Sequence, residues 1–545
     1  MKKFKAIFLF ALLGFAASAQ PESWFYIETT DSLAAPRFKT QNGLQHYTGN
    51  DTTLKAIFNN YQITDFKKTQ RNTNKTNRHR KFFVRANSAA LLHELLTKKP
   101  SLFAKGETIP PSDRKIFEPD DYGLTSTIGK NTGEPLFLDY LDFLGLPQAW
   151  YYTTGHRDVA IGISDGAVDS TDLDFKGKVT TLLKSPVANG HGYSTAANAA
   201  AQGDNGYGIP GVCYDCSIYA TRYGSYDNYR FLKRAANAGA KVINCSWVSS
   251  ARTKEGQRAI DSIFSKGTVI VASAGNADWN KTKGKKYYYP ASYDNVISVS
   301  SVMYRYKTPY ENLLYEKNGN PYAANVRGLV GRTVGFKNHT IADGLGKVYA
   351  ASVATLNDKV DLLSPSVGLF RYSQFVLKDE RLYSTSETTS GTSPFVSGTI
   401  GLMYSLCPCL PADEVEPILK LTATNIDGIP QNKPYKGTYG AGILHTGRAV
   451  KMVFDLYAEG ETATIENQKF TRWDFKVSSF SSKVILKNQK FTDSATFQLK
   501  AKNQIVLAEN TVLRPNVEGS VRLTIDPGLE KNCQLRLRDP SILKE

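Results

Sequence analysis

The sequence predicts an α/β protein with a parallel sheet flanked by helices, preceded by a small α+β unit and followed by a small all-β module. Three observations predict this order. Short apolar strands alternate with helical segments over residues 136–454, as in a parallel sheet covered on both faces. Residues 21–110 follow a strand, helix, strand, strand, helix, strand order, and residues 455–545 contain short runs that alternate apolar with polar side chains.

The central region contains short apolar runs that are bounded by turn residues. Their length and composition are typical of strands buried on both faces of a parallel sheet. Helical candidates lie between them, at residues 194–202, 229–238 and 254–265. The strand candidates are residues 159–164, 217–221, 241–246, 268–273 and 296–300.

The first residues have the composition of an export signal. Three lysines fall among the first five residues, residues 6–17 are apolar, and residues 17–19 (Ala-Ser-Ala) form a small-residue cleavage site. We therefore predict a signal peptide over residues 1–19 and a secreted or cell-surface protein. No later run reaches the roughly 18 apolar residues that a membrane-spanning helix needs, so no transmembrane segment is predicted.

The net charge of +17 is spread along the chain. Residues 1–19 carry +3, residues 20–110 carry +7, residues 451–545 carry +3, and the middle carries the remaining +4. The densest basic stretch, residues 67–81, is interleaved with Asn and Thr, as in a solvated loop. Nucleic-acid binding requires a concentrated basic surface, so no nucleic-acid partner is predicted.

Six cysteines in an exported chain favour disulfides over free thiols. Cys213 and Cys216 could close a tight local loop, and we predict a disulfide between them. A zinc site built from this pair together with Cys407 and Cys409 is the alternative, because thiolates are zinc ligands. The spacing does not determine the remaining connectivity.

Three polar residues stand where a strand gives way to a loop or a helix, the edge at which α/β sheets bind ligands. Asp165 ends an apolar strand. His191 is flanked by glycines and opens a helix of small residues, which indicates close packing against a neighbour. Ser390 precedes an apolar helix, whose positive N-terminal dipole would favour a developing oxyanion. Each residue alone could equally be a turn, loop or cap residue.

The order of these residues along the chain resembles that of subtilisin-like serine proteases, the subtilase family, in which Asp, His and Ser follow one another. Residues 269–276 resemble the family's strand that ends in an oxyanion-hole Asn, and residues 243–247 resemble its substrate-lining strand. The resemblance extends over residues 138–450. It implies a subtilisin-like sheet and a serine endopeptidase that cleaves proteins or peptides through an acyl-enzyme intermediate.

The resemblance also implies roles for individual residues. An Asp-His-Ser triad would be catalytic, an Asn side chain would bind the oxyanion, and a short segment would line the substrate site. No cofactor or metal is required for this chemistry, and a structural calcium stays open. The implied residues are Asp165, His191 and Ser390 for catalysis, Asn276 for the oxyanion hole, and Ser246, Trp247 and Val248 for substrate binding.

The resemblance further implies that the protein is made as a precursor, with an amino-terminal pro-domain that acts as an intramolecular inhibitor and chaperone. We expect this pro-domain to have the ferredoxin-like α+β fold. The implied domains are a signal peptide at 1–19, the pro-domain at 20–110, a linker with the processing site at 111–135, the subtilisin-like domain at 136–454 and a β-rich module at 455–545.

Two serines compete for the role of nucleophile. In the family pattern the nucleophile is followed four residues later by Pro and eight residues later by Gly, and both Pro394 and Gly398 count back to Ser390. Ser393 directly precedes Pro394, which biases its backbone away from helical geometry. We therefore predict that Ser390 attacks.

Three departures from the family pattern favour alternatives. Gly166-Ala167 inverts the usual small-residue and Gly pair after the Asp, Thr388 replaces a Gly two places before the nucleophile, and Val248 replaces a Gly in the substrate strand. One alternative is a catalytically inactive subtilase-fold surface or binding protein. Another is that the C-terminal module carries the main function, as a surface or polysaccharide attachment.

Overall fold

The fold is that of a computed structural model in which the chain divides into two units between Arg114 and Lys115. The signal peptide predicted over residues 1–19 lies outside the described residues. No helix in the described part of the chain is long and apolar enough to cross a membrane. The described residues are 22–30, 36–68, 81–110, 114–122, 126–127, 134, 136–188, 190–224, 229–315, 321–323, 325–331, 333–336, 345–348, 354–370, 383–384 and 387–544.

The first unit is a four-stranded antiparallel sheet with two helices and an additional hairpin. Its elements are β1 Ser23–Thr29, β2 Phe38–Gln41, β3 Leu44–Tyr47, α1 Thr52–Asn59, β4 Ile63–Lys68, β5 Lys81–Ala86, α2 Ala90–Lys98 and β6 Phe103–Ile109. The sheet order is β4-β5-β1-β6. This is the order of a split βαββαβ unit, so the ferredoxin-like fold is confirmed. The β2–β3 hairpin is additional to the sequence prediction.

The second unit contains the predicted alternation of strands and helices. Its elements up to residue 457 are α3 Asp139–Phe143, α4 Leu146–Tyr152, β7 Ala160–Asp165, β8 Val179–Thr181, α5 His191–Ala200, β9 Ser217–Arg222, α6 Arg230–Asn237, β10 Val242–Cys245, α7 Lys254–Phe264, β11 Val269–Ser273, α8 Trp279–Thr282, β12 Val296–Val302, β13 Leu313–Tyr315, β14 Pro321–Ala323, β15 Thr333–Phe336, β16 Leu345–Val348, β17 Leu362–Pro365, α9 Ser393–Leu406, α10 Ala412–Leu421 and α11 Thr446–Tyr457.

Seven strands form one parallel sheet in the order β17-β12-β11-β10-β7-β9-β8. Alternate side chains of its strands enter different cores: Val242 packs with the α5 and α9 side, and its neighbour Ile243 packs with the α6 and α7 side. The sheet is therefore covered on both faces, which confirms the predicted α/β class. Every residue of α9 is buried, so this helix forms the centre of one layer.

The described residues after 457 form strands β18 Thr462–Glu466, β19 Lys469–Phe470, β20 Asp474–Ser479, β21 Lys483–Lys487, β22 Lys490–Asp493, β23 Thr496–Ala501, β24 Ile505–Leu507, β25 Val512–Pro515 and β26 Ser520–Ile525. They make three parallel sheets, β18-β21-β24, β19-β22-β25 and β20-β23-β26. Each sheet takes one strand from each of three successive passes of the chain. The predicted β-rich segment is therefore a parallel three-coil solenoid.

The solenoid shares its interior with the α/β region, because Ile465, Phe475 and Leu499 belong to the same buried cluster as Leu456 and Ile400. The sequence alone favours a separate β module at 455–545, and the structure revises this interpretation. The two regions form one unit because the apolar face of the first coil packs directly on helices of the α/β layer.

The segment after β26 returns along the α/β region and is fixed there. A disulfide joins Cys533 to Cys409. The Arg536 amide donates to the Leu406 carbonyl oxygen at 2.8 Å, and the Arg538 amide donates to the Tyr152 carbonyl oxygen at 2.7 Å. These contacts fasten the end of the chain to helices α9 and α4.

We predict that ending the chain near residue 455 abolishes stable folding. The truncation removes the strands that pack on α10 and α11, and it exposes apolar surface around Phe454, which is buried in the complete chain. Each such side chain contributes about 1.5–3 kcal/mol when buried, against about 5–15 kcal/mol for a whole domain. Thermal unfolding of the purified proteins tests this, with Val517→Ser, a change at a fully exposed position of the solenoid, as the matched control. A truncated protein that melts at the temperature of the full chain would contradict it.

Candidate active site

The predicted Asp and His are brought together by a close backbone approach. Asp165 is the last residue of β7, and His191 is the first residue of α5. A Cβ added at Gly192 would lie 2.1 Å from the Gly166 carbonyl oxygen, so glycine is required for the start of α5 to reach the end of β7. Gly192, one of the two glycines that flank His191 in the sequence, therefore has a packing role.

The Asp165 carboxylate is fully buried and holds the His191 ring. Its Oδ1 lies 2.7 Å from His191 Nδ1 and accepts the Gly166 amide hydrogen at 2.6 Å. Its Oδ2 accepts from the Thr195 hydroxyl at 3.3 Å. A carboxylate can only accept, so Nδ1 carries the hydrogen and Nε2 is the ring nitrogen that can take up a proton.

Two opposing effects act on the pKa of His191. Burial, the largest effect, lowers it, but the hydrogen bond and the negative charge of Asp165 together outweigh burial. The net result is a pKa above the usual value of 6.5. The imidazole therefore binds a proton more readily than an isolated histidine does, which suits a general base.

Ser390 and Ser393 occupy different environments. Ser390 lies in a short 3₁₀ turn, Thr389–Gly391, directly before α9, and is partly exposed. Ser393 is fully buried, with its Oγ 3.0 Å from Ser246 Oγ and 3.2 Å from Ser273 Oγ. Solvent and substrate can therefore reach Ser390 and not Ser393.

The structure corrects one argument about Ser393. Because Pro394 follows, the sequence predicts a non-helical backbone at Ser393. In the structure, Ser393 is the first residue of α9. Proline is tolerated in the first turn of a helix, where its missing N–H has no intrahelical partner, and here that tolerance outweighs the restriction on the preceding residue. Burial, and not backbone geometry, separates the two serines.

A cavity of about 340 Å³ joins the His and the accessible Ser, because both His191 and Ser390 line it. Helix α5 contributes further polar groups from Ser194 and Asn198, and Leu369 adds an apolar wall. The cavity therefore places an imidazole and a hydroxyl on one space with room for part of a ligand.

Asn276 follows β11 and is tied to the turn that carries Ser390. Its Oδ1 accepts from the Thr389 amide and from the Thr389 hydroxyl, each at 3.0 Å. The Asn276 side chain is exposed, and its amide nitrogen donates no hydrogen bond within the described residues. Because the oxygen is anchored, the NH₂ group is held at the surface, where it can donate to a ligand.

The three predicted substrate-binding residues differ in what they expose. The Ser246 hydroxyl donates to the Ser390 carbonyl oxygen at 2.8 Å, beneath the Ser390 turn. The buried Trp247 indole donates to the Ser164 hydroxyl at 3.2 Å, whereas Val248 is 41% exposed. The side chains of Ser246 and Trp247 therefore support the site, and Val248 is the side chain of this segment that a ligand can reach.

Sequence reasoning missed Tyr223, whose hydroxyl lies 3.2 Å from His191 Nδ1. It also missed Thr195, whose hydroxyl bonds to Asp165. No sequence motif marks these residues. Only Tyr223 could have been suspected from the sequence, because it follows the predicted strand 217–221 at the sheet edge that also carries Asp165.

Among the described residues, one group of three side chains has the spacing that a metal ion would need. His, Cys, Asp and Glu ligand atoms within 4.8 Å of one another occur together at Cys407, Cys409 and Cys533, two of which are joined as a disulfide. The structure also joins Cys213 to Cys216, so the pairs of the alternative zinc site are not four free thiols.

Calcium requires several converging oxygen ligands. Asp121 is buried, without a hydrogen-bond partner among the described residues, and burial is the main reason that its pKa rises to about 7. Asp204 and Asp120 lie nearby, since Asp204 Oδ1 accepts the Asp120 amide hydrogen at 2.8 Å. No three acidic ligand atoms converge here within the described residues, so the structure assigns no cation site.

Comparisons with known proteins identify relatives of this chain. The sequence model of the subtilase family matches residues 156–442. Subtilisin DY of Bacillus licheniformis is 26% identical over 306 residues, which is 54% of this chain and 91% of that protein. Thermitase of Thermoactinomyces vulgaris is 28% identical over 320 residues, which is 56% of this chain and 92% of that protein.

Among solved structures, the prenylagaramide maturation protease PagA matches with a TM-score of 0.41 and 18% sequence identity, covering 57% of this chain and 98% of that chain. The family match spans more than half of the present chain. The chain therefore belongs to the subtilase family and is a serine protease, a hydrolase that acts on proteins.

We predict that the pKa of His191 lies above 6.5 and that Asp165→Asn lowers it below 6.5. The substitution removes the hydrogen bond to a charged oxygen and the negative charge, and it leaves the burial that disfavours the imidazolium. NMR titration of the histidine rings measures both values. His445, whose pKa burial lowers to about 4, provides an internal control that should not move. An unchanged His191 pKa in Asp165→Asn would contradict the assigned pair.

Proposed function

We propose that this subtilase is a secreted serine endopeptidase, made as a precursor, that uses Asp165, His191 and Ser390 as its catalytic triad. The observation that carries the proposal is the His191 ring, which is bonded through Nδ1 to the buried Asp165 carboxylate and lines one cavity with the accessible Ser390. This arrangement leaves Nε2 to exchange a proton with the serine hydroxyl.

The proposed reaction begins when Ser390 Oγ attacks the carbonyl carbon of a peptide bond. His191 takes the hydroxyl proton through Nε2 and gives it to the leaving amine, and Asp165 stabilises the imidazolium between these transfers. Water then attacks the acyl-enzyme, with His191 again removing a proton, and Ser390 is released. The raised pKa of His191 supports this role, because the ring must hold a proton during each tetrahedral stage.

The oxyanion that forms on the carbonyl oxygen needs hydrogen-bond donors. We assign these to the Asn276 side-chain amide and to the Ser390 backbone N–H. The anchoring of Asn276 Oδ1 by Thr389 supports this assignment, because a preorganised donor does not have to reorient during reaction. A donor of this kind contributes about 2.7–4 kcal/mol to transition-state stabilisation in comparable sites.

No cofactor takes part in these steps, and the substrates are proteins or peptides. Val248 is the exposed side chain of the proposed substrate segment, and it would contact residues of the bound chain next to the scissile bond. The alternative of an inactive subtilase-fold binding protein is less favoured, because His191 is bonded to Asp165 and lines one cavity with Ser390.

The precursor part of the proposal rests on the first unit. It has its own core, which includes Phe25, Ile27 and Leu95. A compact unit that precedes the subtilase region in the sequence fits an amino-terminal pro-domain that is removed after folding. Export supports the presence of disulfides such as Cys213–Cys216.

We predict that Ser390→Ala abolishes both peptide hydrolysis and labelling by a fluorophosphonate, a loss on the order of 10⁶ in kcat. Ser393→Ala should keep labelling at Ser390, although loss of its two hydroxyl contacts lowers stability by about 1–3 kcal/mol. Mass spectrometry locates the phosphonyl adduct, and melting temperature separates the two effects. An adduct on Ser393 would overturn the assignment of the nucleophile.

We also predict that processing cuts the chain within residues 111–135, after the first unit. Exposed connections between compact units are preferred sites of proteolysis. Amino-terminal sequencing of the secreted protein gives the site, and the Ser390→Ala protein, which cannot cut itself, serves as the control. A fully active protein that begins at Gln20 would refute this prediction.

A further inference from the structure

Tyr223 lies directly after β9, and its side chain approaches the ring of His191, the proposed general base. Its hydroxyl oxygen is 3.2 Å from His191 Nδ1, and the two ring centroids are 6.1 Å apart at an interplanar angle of 45°. The same nitrogen is 2.7 Å from Asp165 Oδ1. Within the described part of the chain, Nδ1 therefore lies beside two oxygen atoms, one charged and one neutral.

The hydrogen on Nδ1 determines which atom donates and which atom accepts in the contact between His191 and Tyr223. Because the Asp165 carboxylate requires a donor, Nδ1 carries a hydrogen, and the Tyr223 oxygen can only accept a second, weaker branch of that bond. An acceptor beside the ring favours the protonated imidazole more than the neutral one. It also opposes rotation of the ring away from Asp165.

The position of Tyr223 is fixed by its chain neighbours. The Ser164 hydroxyl donates to the Arg222 carbonyl oxygen at 3.0 Å and accepts from the Trp247 indole at 3.2 Å. A Cβ at Gly224 would lie 2.2 Å from the Trp247 ring, so the backbone on the other side of Tyr223 packs against this ring as well. The backbone before Tyr223 is thus held by Ser164, the chain neighbour of Asp165. The backbone after Tyr223 packs against Trp247, which is hydrogen-bonded to Ser164.

Among the described residues, the other titratable groups near His191 do not provide a second acceptor for the hydrogen on Nδ1. Burial raises the pKa of the Cys245 thiol, which keeps this group neutral behind Asp165. The Arg222 guanidinium lies 4.7 Å from the centroid of the Phe231 ring. Thr195, on the same helix as His191, bonds to Asp165. Among the described contacts, the groups that bond to Nδ1 are Asp165 and Tyr223.

We propose that Tyr223 is a positioning residue for the general base: its hydroxyl holds the His191 ring in line with Asp165 and stabilises the imidazolium. The effect of Tyr223 on catalysis rests on the proposed function. The first test measures only the pKa of His191 and does not depend on that function. Tyr223 acts through His191 and does not itself transfer a proton.

The first test needs no turnover. In the Ser390→Ala protein, NMR titration gives the pKa of His191 with Tyr223 present and with Tyr223→Phe. Loss of one hydrogen bond to the charged form should lower this pKa by about 0.3–1 unit. Tyr219→Phe is the matched control, because Tyr219 lies on β9 and packs against the same apolar cluster as Tyr223, but it has no hydrogen bond to His191 among the described contacts. Equal His191 pKa values in the two proteins would overturn the inference.

The second test uses the active protein. Tyr223→Phe should lower kcat by about two- to tenfold, with KM changed by less than about twofold, and should move the acid limb of the kcat/KM profile to lower pH. A lower melting temperature with an unchanged pH profile would show a merely structural role and would overturn the inference. Absence of hydrolysis and of fluorophosphonate labelling in the unaltered protein would instead defeat the proposed function, and the titration would still decide the role of Tyr223.

Discussion

The hydrogen bond between His191 Nδ1 and Asp165 is the interaction on which the rest of the site depends. It forms only because the start of α5 approaches the end of β7 so closely that Gly192 has no space for a Cβ beside the Gly166 carbonyl. The pair then fixes the tautomer of the imidazole, and the tautomer decides which nitrogen can act as a base. Every chemical role assigned to Ser390 or Tyr223 follows from that choice.

The same need for close approach explains why α5 is built from small residues. A Cβ at Gly398 of α9 would lie 2.7 Å from the Ala199 carbonyl oxygen, so the two helices also meet backbone to backbone. Side chains larger than alanine along this contact would separate α9 from α5. Because Ser390 lies directly before α9 and His191 begins α5, the distance between these two helices controls the distance between the serine and the imidazole.

The sequence predicts most of what is local. The strands of the parallel sheet, the Asp and His at its edge and the Ser before α9 are recognisable because apolar runs and glycine positions are properties of short segments. The position of Tyr223 beside His191 and the Cys409–Cys533 disulfide join residues far apart in sequence, and no short pattern encodes them. The sequence also does not predict that the solenoid shares its interior with the α/β region. Alternation of apolar and polar residues predicts that one face of a strand is buried, but it does not identify the element that packs on that face.

The C-terminal solenoid gains a connection to the site through α9. This helix has 14 residues, and at about 1.5 Å per residue it carries the Ser390 turn roughly 20 Å from its C-terminal end. That end is held by Arg536, which bonds to Leu406, and by the disulfide from Cys533 to Cys409. A fully buried helix moves as a rigid body, because its close-packed neighbours leave no space for bending. Fixing its far end therefore restricts the movement of the turn at its near end, and the tail helps to hold Ser390, the proposed nucleophile, in register with His191.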